Sequence, residues 1–181
     1  MTTDRILSIS SVVIALTAVC VSIWQGVVAR EHNRLSVKPF ITSSPRVPGI
    51  GGENGVFISN AGVGPAFIKK VYIKANGNEF DMTVNNWPAI YAHLDLKSSC
   101  YVERWFKEGV SLKAGYEIKI IGPTTSPLDA SCPIEFLKLI SSPELTISLE
   151  YESIYGEEFK YSQRIGLDAQ EAARFKHEVG Y

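Results

Sequence analysis

Two hydrophobic patterns divide the chain. From Ile6 to Ala29 the run ILSISSVVIALTAVCVSIWQGVVA carries no charged residue over 24 positions. Beyond Pro39 the apolar residues begin to alternate with polar ones. About 20 apolar residues in a helix cross a bilayer core, so residues 6–29 are long enough to span with some tilt. Trp24 lies near the end of the run, where an amphipathic ring favours the membrane–water interface. A cleaved signal peptide is the competing reading, but it requires a shorter apolar run and a small-x-small cleavage site. Cys20 is preceded by Val19 and followed by Val21, Ile23 and Trp24, which is the wrong setting for lipid attachment. The pattern predicts an uncleaved anchor whose first partner is the lipid bilayer through residues 6–29.

After the apolar run, Arg30 to Arg34 reads as helix leaving the membrane. Pro39 biases Lys38 to extended geometry, and Leu35 to Thr42 is expected as a first strand. A loop from Ser43 to Asn54, punctuated by Pro45, Pro48, Gly49, Gly51 and Gly52, follows. Strands are predicted at Gly55–Ser59, at Ala66–Ala75 with Val71, Ile73 and Ala75 on one face, and at Tyr116–Ile121. Asn76-Gly77 marks a tight hairpin turn back to Glu79–Val84. The strictest alternation sets Leu145, Ile147, Leu149 and Tyr151 against Thr146, Ser148, Glu150 and Glu152, the mark of a strand with one buried face. Gly156 turns it into a return strand with Phe159 and Tyr161. Helix is expected only at Asn86–Leu94, at Ile134–Ile140, and after a capping box formed by Asp168 and Glu171, over Ala169–Glu178.

Many short strands with turn signals between them, and no regular alternation of strand and helix, predict a mainly β fold: a transmembrane α-helix followed by an antiparallel β-sandwich. The expected division is 1–34 for the anchor and juxtamembrane helix, 35–167 for the sandwich, and 168–181 for a short helix or tail. The stretch Ile58-Ser-Asn-Ala-Gly-Val-Gly-Pro-Ala-Phe-Ile resembles the N-x-G-x-G-P-A turn of bacterial single-pass membrane proteins. Leu112-Lys-Ala-Gly-Tyr-Glu-Ile and Tyr151-Glu-Ser-Ile-Tyr-Gly are similar to a strand entry and late hairpin of immunoglobulin-like domains. The resemblance implies an immunoglobulin-like sandwich and no particular activity.

Charge modifies this picture in one respect. The net charge of −1 argues against nucleic acid as a partner, because such binding needs clustered cations to displace counterions. Around the span the balance is uneven. Arg5 stands beside Asp4 before it, while Arg30, Arg34 and Lys38, diluted by Glu31, follow it. The excess places the sandwich in the cytoplasm by the positive-inside rule, on a narrow margin, as a single-pass protein of the inner (plasma) membrane.

Candidate interaction residues fall in two sets. On the helix, Ser11, Ala15, Ala18, Ser22 and Gln25 share one face with Ala29, and small residues let helices approach closely in lipid. That face suits self-association or a second membrane protein, or the small residues are simply tolerated in a single span. In the sandwich, Trp87, Tyr91, Arg104 and Trp105, with Phe106, lie in or beside irregular segments. Trp, Tyr and Arg dominate protein-interface hot spots, but aromatic rings carry much burial area, which favours a core-plugging role.

No motif commits the chain to a reaction. Asn60-Ala-Gly-Val-Gly-Pro-Ala lacks the spacing of a phosphate loop and feeds a strand instead of a helix. It reads as a turn in which Gly62 and Gly64 take positive φ. His32, His93 and His177 are scattered, with no zinc spacing. Cys100 and Cys132 are the soluble cysteine pair: they can bridge in an oxidising compartment and stay reduced in a cytoplasm. Glu157 and Glu158 sit at a hairpin tip, and no nucleophile elbow exists. The expectation is a non-enzymatic binding or scaffolding protein without cofactor or metal. Its sandwich serves a protein partner or a second copy. The alternative is a membrane effector or sensor, in stress or phage defence, whose helix association the sandwich controls.

Overall fold

The structure, a computed structural model, describes residues 3–46, 53–124, 131–142 and 144–167, together with Gln170, Ala173, Arg174 and His177. The chain falls into two compact units, Met1–Val37 and Lys38–Tyr181. The first is a single helix, α1, Thr3–Ser36. It is long and apolar enough to cross a membrane, and none of its apolar stretch is buried against protein. The helix continues past Leu35, where a strand was expected. Nothing in Arg30–Ser36 stops it, and Pro39 acts first on its immediate predecessor, Lys38.

The second unit is the expected antiparallel sandwich. One sheet has the order β1 (Ile41–Arg46), β2 (Gly55–Asn60), β7 (Glu117–Pro123), β5 (Tyr101–Glu103). The other runs β4 (Asn78–Asp81), β3 (Ala66–Ala75), β8 (Thr146–Glu152), β9 (Glu158–Arg164), with β6 (Ser111–Leu112) also paired to β3. The period-two pattern decides which side chains face inward: Leu145, Ile147, Leu149 and Tyr151 are buried, as are Val71, Ile73 and Ala75. Asn76 and Gly77 both have positive φ, 45° and 84°, the requirement of the two-residue turn that joins β3 to β4.

Two short helices close the core. α2, Trp87–His93, has Pro88 in its first turn, where a fixed φ suits the helix. α3, Cys132–Ile140, buries Phe136, Leu137, Leu139 and Ile140. Side chains of that size stabilise the fold by roughly 1.5–3 kcal/mol each when withdrawn from water. β1 ends the first sheet and β9 the second, and they meet where the Tyr161 hydroxyl accepts from the Ser43 amide at 2.7 Å. The expected loop from Ser43 starts later, since Ser43–Arg46 belong to β1. The expected capping box of Asp168 and Glu171 lies outside the described residues. Gln170, Ala173, Arg174 and His177 are helical and exposed.

Candidate functional site

The aromatic residues of the expected partner surface separate into two groups. Trp87 and Tyr91 are buried, 1% and 4% exposed, and so are not surface residues. The reason is helical: four residues apart in α2, they lie on its inner face. There they stack with each other and then with Tyr101, at centroid distances of 6.1 and 4.9 Å. The Trp87 indole N–H donates to the Arg104 carbonyl at 2.8 Å, and the Tyr101 hydroxyl donates to the Glu135 carbonyl at 2.6 Å. Burial raises the pKa of both Tyr91 and Tyr101, with Glu103 adding to the first and Glu135 to the second. These phenols are neutral packing elements. Phe106 is buried as well.

Arg104 and Trp105 remain outside. Trp105 is 41% exposed and Val102 54%. β5 pairs with β7, placing Val102 opposite Gly122 and Glu103 opposite Ile121, so Val102 projects from the outer face of the first sheet. A shallow depression there is lined by Val102, Arg104, Phe57, Ile118 and Lys119 with Glu53 and Glu117. Phe57 forms its floor. The Arg46 guanidinium lies 4.4 Å from its ring centroid, while the same guanidinium holds Glu117 through both nitrogens. Lys119 pairs with Glu53 at 3.4 Å. Arg104 has no ion-pair partner among the described residues. The face therefore offers the Arg104 guanidinium beside a valine and a capped phenyl ring, and the exposed Trp105 follows Arg104 in the chain.

The outer face of the second sheet differs. Lys69 pairs with Glu152 at 2.9 Å and Lys160 with Glu150 at 2.8 Å, both across neighbouring strands. Exposed pairs of this kind contribute little stability, and they leave this face charged and solvated.

Cys100 and Cys132 are joined by a disulfide with Cα atoms 4.8 Å apart. Both are buried. The bridge ties the turn before β5 to the start of α3, and Glu135, one turn into α3, adds a second tie. Its carboxylate accepts from the Lys97 amide at 3.1 Å and from Lys138 Nζ at 2.6 Å. Burial opposes the charge on Glu135. The bond from Lys138, the bond from the Lys97 amide and the two lysine charges outweigh it, and hold the carboxyl below its usual range. A depressed folded-state pKa contributes stability above the unfolded value, and that contribution is lost as pH falls through the folded one. Glu135→Gln should therefore flatten the stability curve across the acidic carboxylate range. Thermal melts of the variant and the parent chain at stepped pH measure the difference.

The glycine turn that resembled a family motif has a different basis from the one expected. Gly62 and Gly64 do not have positive φ. Gly62 is required by proximity: a Cβ there would lie 2.3 Å from the Phe40 nitrogen and 2.6 Å from the Lys38 carbonyl oxygen. Asn60, fully buried, holds this crossing together. Its Oδ1 accepts from the amides of Phe40, 3.1 Å, and Gly62, 3.0 Å. Its Nδ2 donates to the carbonyls of Gly64, 2.7 Å, and Leu112, 2.9 Å. Ala61 N–H to Phe40 O and Val63 N–H to Lys38 O complete it, at 2.8 and 3.2 Å. Lys38–Phe40, the first residues of the sandwich unit, are thus clamped to the β2–β3 turn. In the sequence the signal was an Asn followed by two glycines; its partners lay out of reach.

On α1, Ser11, Ala15, Ala18, Ser22 and Gln25 are all exposed. The Ser11 hydroxyl donates to Ser8 O and that of Ser22 to Ala18 O, both at 2.8 Å, so each hydroxyl proton is satisfied within the helix. His93 packs on Phe80 at 5.7 Å between centroids. No group of three or more His, Cys, Asp or Glu side chains suited to a metal occurs among the described residues. The Glu157 backbone carbonyl and carboxylate are engaged by Ser153, as suits a hairpin tip.

No protein family matches the chain, and no curated protein matches it. Among solved structures it is similar to the archaellum periplasmic stator protein FlaG from Sulfolobus acidocaldarius. Identity is 15% over 68% of this chain and 100% of that one, with a TM-score of 0.26. It is also similar to the archaellum periplasmic stator protein complex FlaF and FlaG from the same organism, at 18% identity over 60% of this chain and 74% of that one, TM-score 0.25. Likeness at these scores carries no functional argument.

Proposed function

We propose that this chain is a membrane-anchored binding or scaffolding protein whose sandwich meets a protein partner through the outer face of its first sheet. The observation that carries the reading is Arg104, exposed with Val102 on a face floored by Phe57 and without an ion-pair partner among the described residues, with the exposed Trp105 next to it in the chain. Trp and Arg are the residue types that anchor protein interfaces, and the opposite sheet face is charge-paired. A photo-crosslinking residue placed at Val102 should give a discrete adduct in the native membrane, and Trp105→Ala should remove it. The same probe at Lys70, on the other sheet, should give none. Equal adducts from both faces would refute the reading.

The buried Cys100–Cys132 bridge supports an outward-facing sandwich, because disulfides persist in oxidising compartments and not in the cytosol. This reverses the side expected from Arg30, Arg34 and Lys38, whose excess is only a few charges. In intact cells, thiol alkylation before reduction should leave both cysteines unmodified; rapid alkylation of both would return the sandwich to the cytoplasm. The alternative, an effector governed by helix association, draws support only from close approach along the Ser11–Gln25 face. The serine hydroxyl protons there are already used within the helix.

A further inference from the structure

We infer that the end of the sandwich at which the chain enters is a lipid-contacting surface, resting on the headgroup layer of the same bilayer that residues 6–29 span. The topology gathers specific turns at that end. β1 leaves from it at Ile41 and β2 returns to it at Asn60. β3 starts there, β8 ends there, and β7 starts there, because each is antiparallel to the strand beside it. The connections exposed at this end are therefore Lys38–Phe40, the β2–β3 turn, the β6–β7 turn and the β8–β9 turn.

These connections are unusually apolar. Nine large hydrophobic side chains of the sandwich unit are exposed among its described residues, and five of them sit here: Phe40, Val63, Tyr116, Ile154 and Tyr155, at 50–66% exposure. Side chains this exposed add little to the core of the sandwich. Tyr in particular suits the interface, where one end of the ring is wet and the other apolar. Lys38 and Lys113 are exposed in the same turns; the β2–β3 and β6–β7 tips carry no acid, and the β8–β9 turn carries Glu157, whose carboxylate accepts from the Ser153 hydroxyl. That composition matches a surface of apolar acyl edges and anionic headgroups.

Residue counts set the reach. Arg30–Ser36 carries the helix seven residues beyond the apolar run, about 10 Å at the helical rise. The headgroup region is roughly 5–8 Å deep on each side of the core. Only Val37–Phe40 separate the helix from β1. The covalent path from the end of the helix to this end of the sandwich is therefore short. The inference rests on the reading of residues 6–29 as an anchor and is independent of which side the sandwich occupies.

The test uses the full chain, with Cys20→Ser, reconstituted in vesicles of mixed zwitterionic and anionic phospholipid carrying headgroup nitroxides. A fluorophore is attached in turn at Val63→Cys, Tyr155→Cys and, at the far end, Glu79→Cys. Labels at 63 and 155 should lose fluorescence to the nitroxide lipid, and the label at 79 should keep it. Adding Phe40→Ser and Ile154→Ser should restore the signal at 63. Vesicle flotation reads the anchor separately: a chain that floats but shows no quenching at 63 and 155, or equal quenching at all three positions, overturns the inference and leaves the anchor intact. Shielding of 63 and 155 from water without lipid quenching would assign this end to a second copy and equally overturn it. Where one labelled chain melts abnormally, Ile154→Cys takes its place.

Discussion

Replacing Cys100 and Cys132 together by serine should lower the unfolding free energy of the sandwich by about 3–4 kcal/mol. The bridge closes a loop between residues 32 apart, and cross-linking removes that loop's freedom mainly from the unfolded chain. The loss adds to a local effect in the native state. Two hydroxyls would replace a bridge at sites that are 0% and 1% exposed, and a buried hydroxyl without a partner is itself unfavourable. A shift in melting temperature on the order of 10 °C follows for a domain of this size. Reduction of the parent chain should reproduce most of it. A double variant that melts with the oxidised parent would mean that α3 and the turn before β5 are held by the Tyr101–Glu135 and Lys97–Glu135 bonds alone.

Asn60→Ala should destabilise the sandwich by roughly 3 kcal/mol, the upper range for stranding buried hydrogen-bonding groups. The truncation leaves two amides, of Phe40 and Gly62, and two carbonyls, of Gly64 and Leu112, without the side chain that served them. Water cannot replace it easily, since Asn60 is fully enclosed. Asn60→Asp is the discriminating variant. It retains an acceptor for the two amides but turns a second oxygen toward two carbonyls, and it buries a charge unless it takes up a proton. It should therefore be no more stable than the alanine variant at neutral pH and should recover in part as pH falls. Urea unfolding of both variants at two pH values measures this. If Asn60→Asp matches the parent chain, the Nδ2 bonds do not hold the turn.

Where one face of a strand is buried, alternation in the sequence located it, as with β8 and the second half of β3. The Asn76-Gly77 turn was equally legible, because its backbone demands positive φ at both central positions. Strands β5 and β6 carry three and two residues, too few for a period to register. The end of α1 is not legible in the sequence, because no residue between Arg30 and Ser36 favours strand over helix strongly. The two tryptophans of the sandwich unit, out of three in the chain, show the limit most clearly. Trp87 and Trp105 occupy similar irregular surroundings in sequence, but four-residue spacing turns Trp87 and Tyr91 into the core, while Trp105 follows a short edge strand. Gly62 teaches the same lesson for backbone: sequence suggested a special φ, and the real constraint is another segment of chain 2.3 Å from a missing Cβ. The partner of Asn60 at Leu112 lies 52 residues away, beyond any local pattern.

The crossing at Asn60 also fixes where mechanical load enters. Tension applied along the anchor reaches the folded unit at Lys38. The first bonds it meets are those of Lys38 O, Phe40 N and Phe40 O to the β2–β3 turn, ahead of the ladder between β1 and β2. Through Asn60 the same turn grips the β6 carbonyl of Leu112, and β6 is bonded to β3 in the second sheet. A pull on β1, an edge strand of one sheet, is thereby shared with the other sheet before the edge can peel, so the junction acts as a strain relief for the tether.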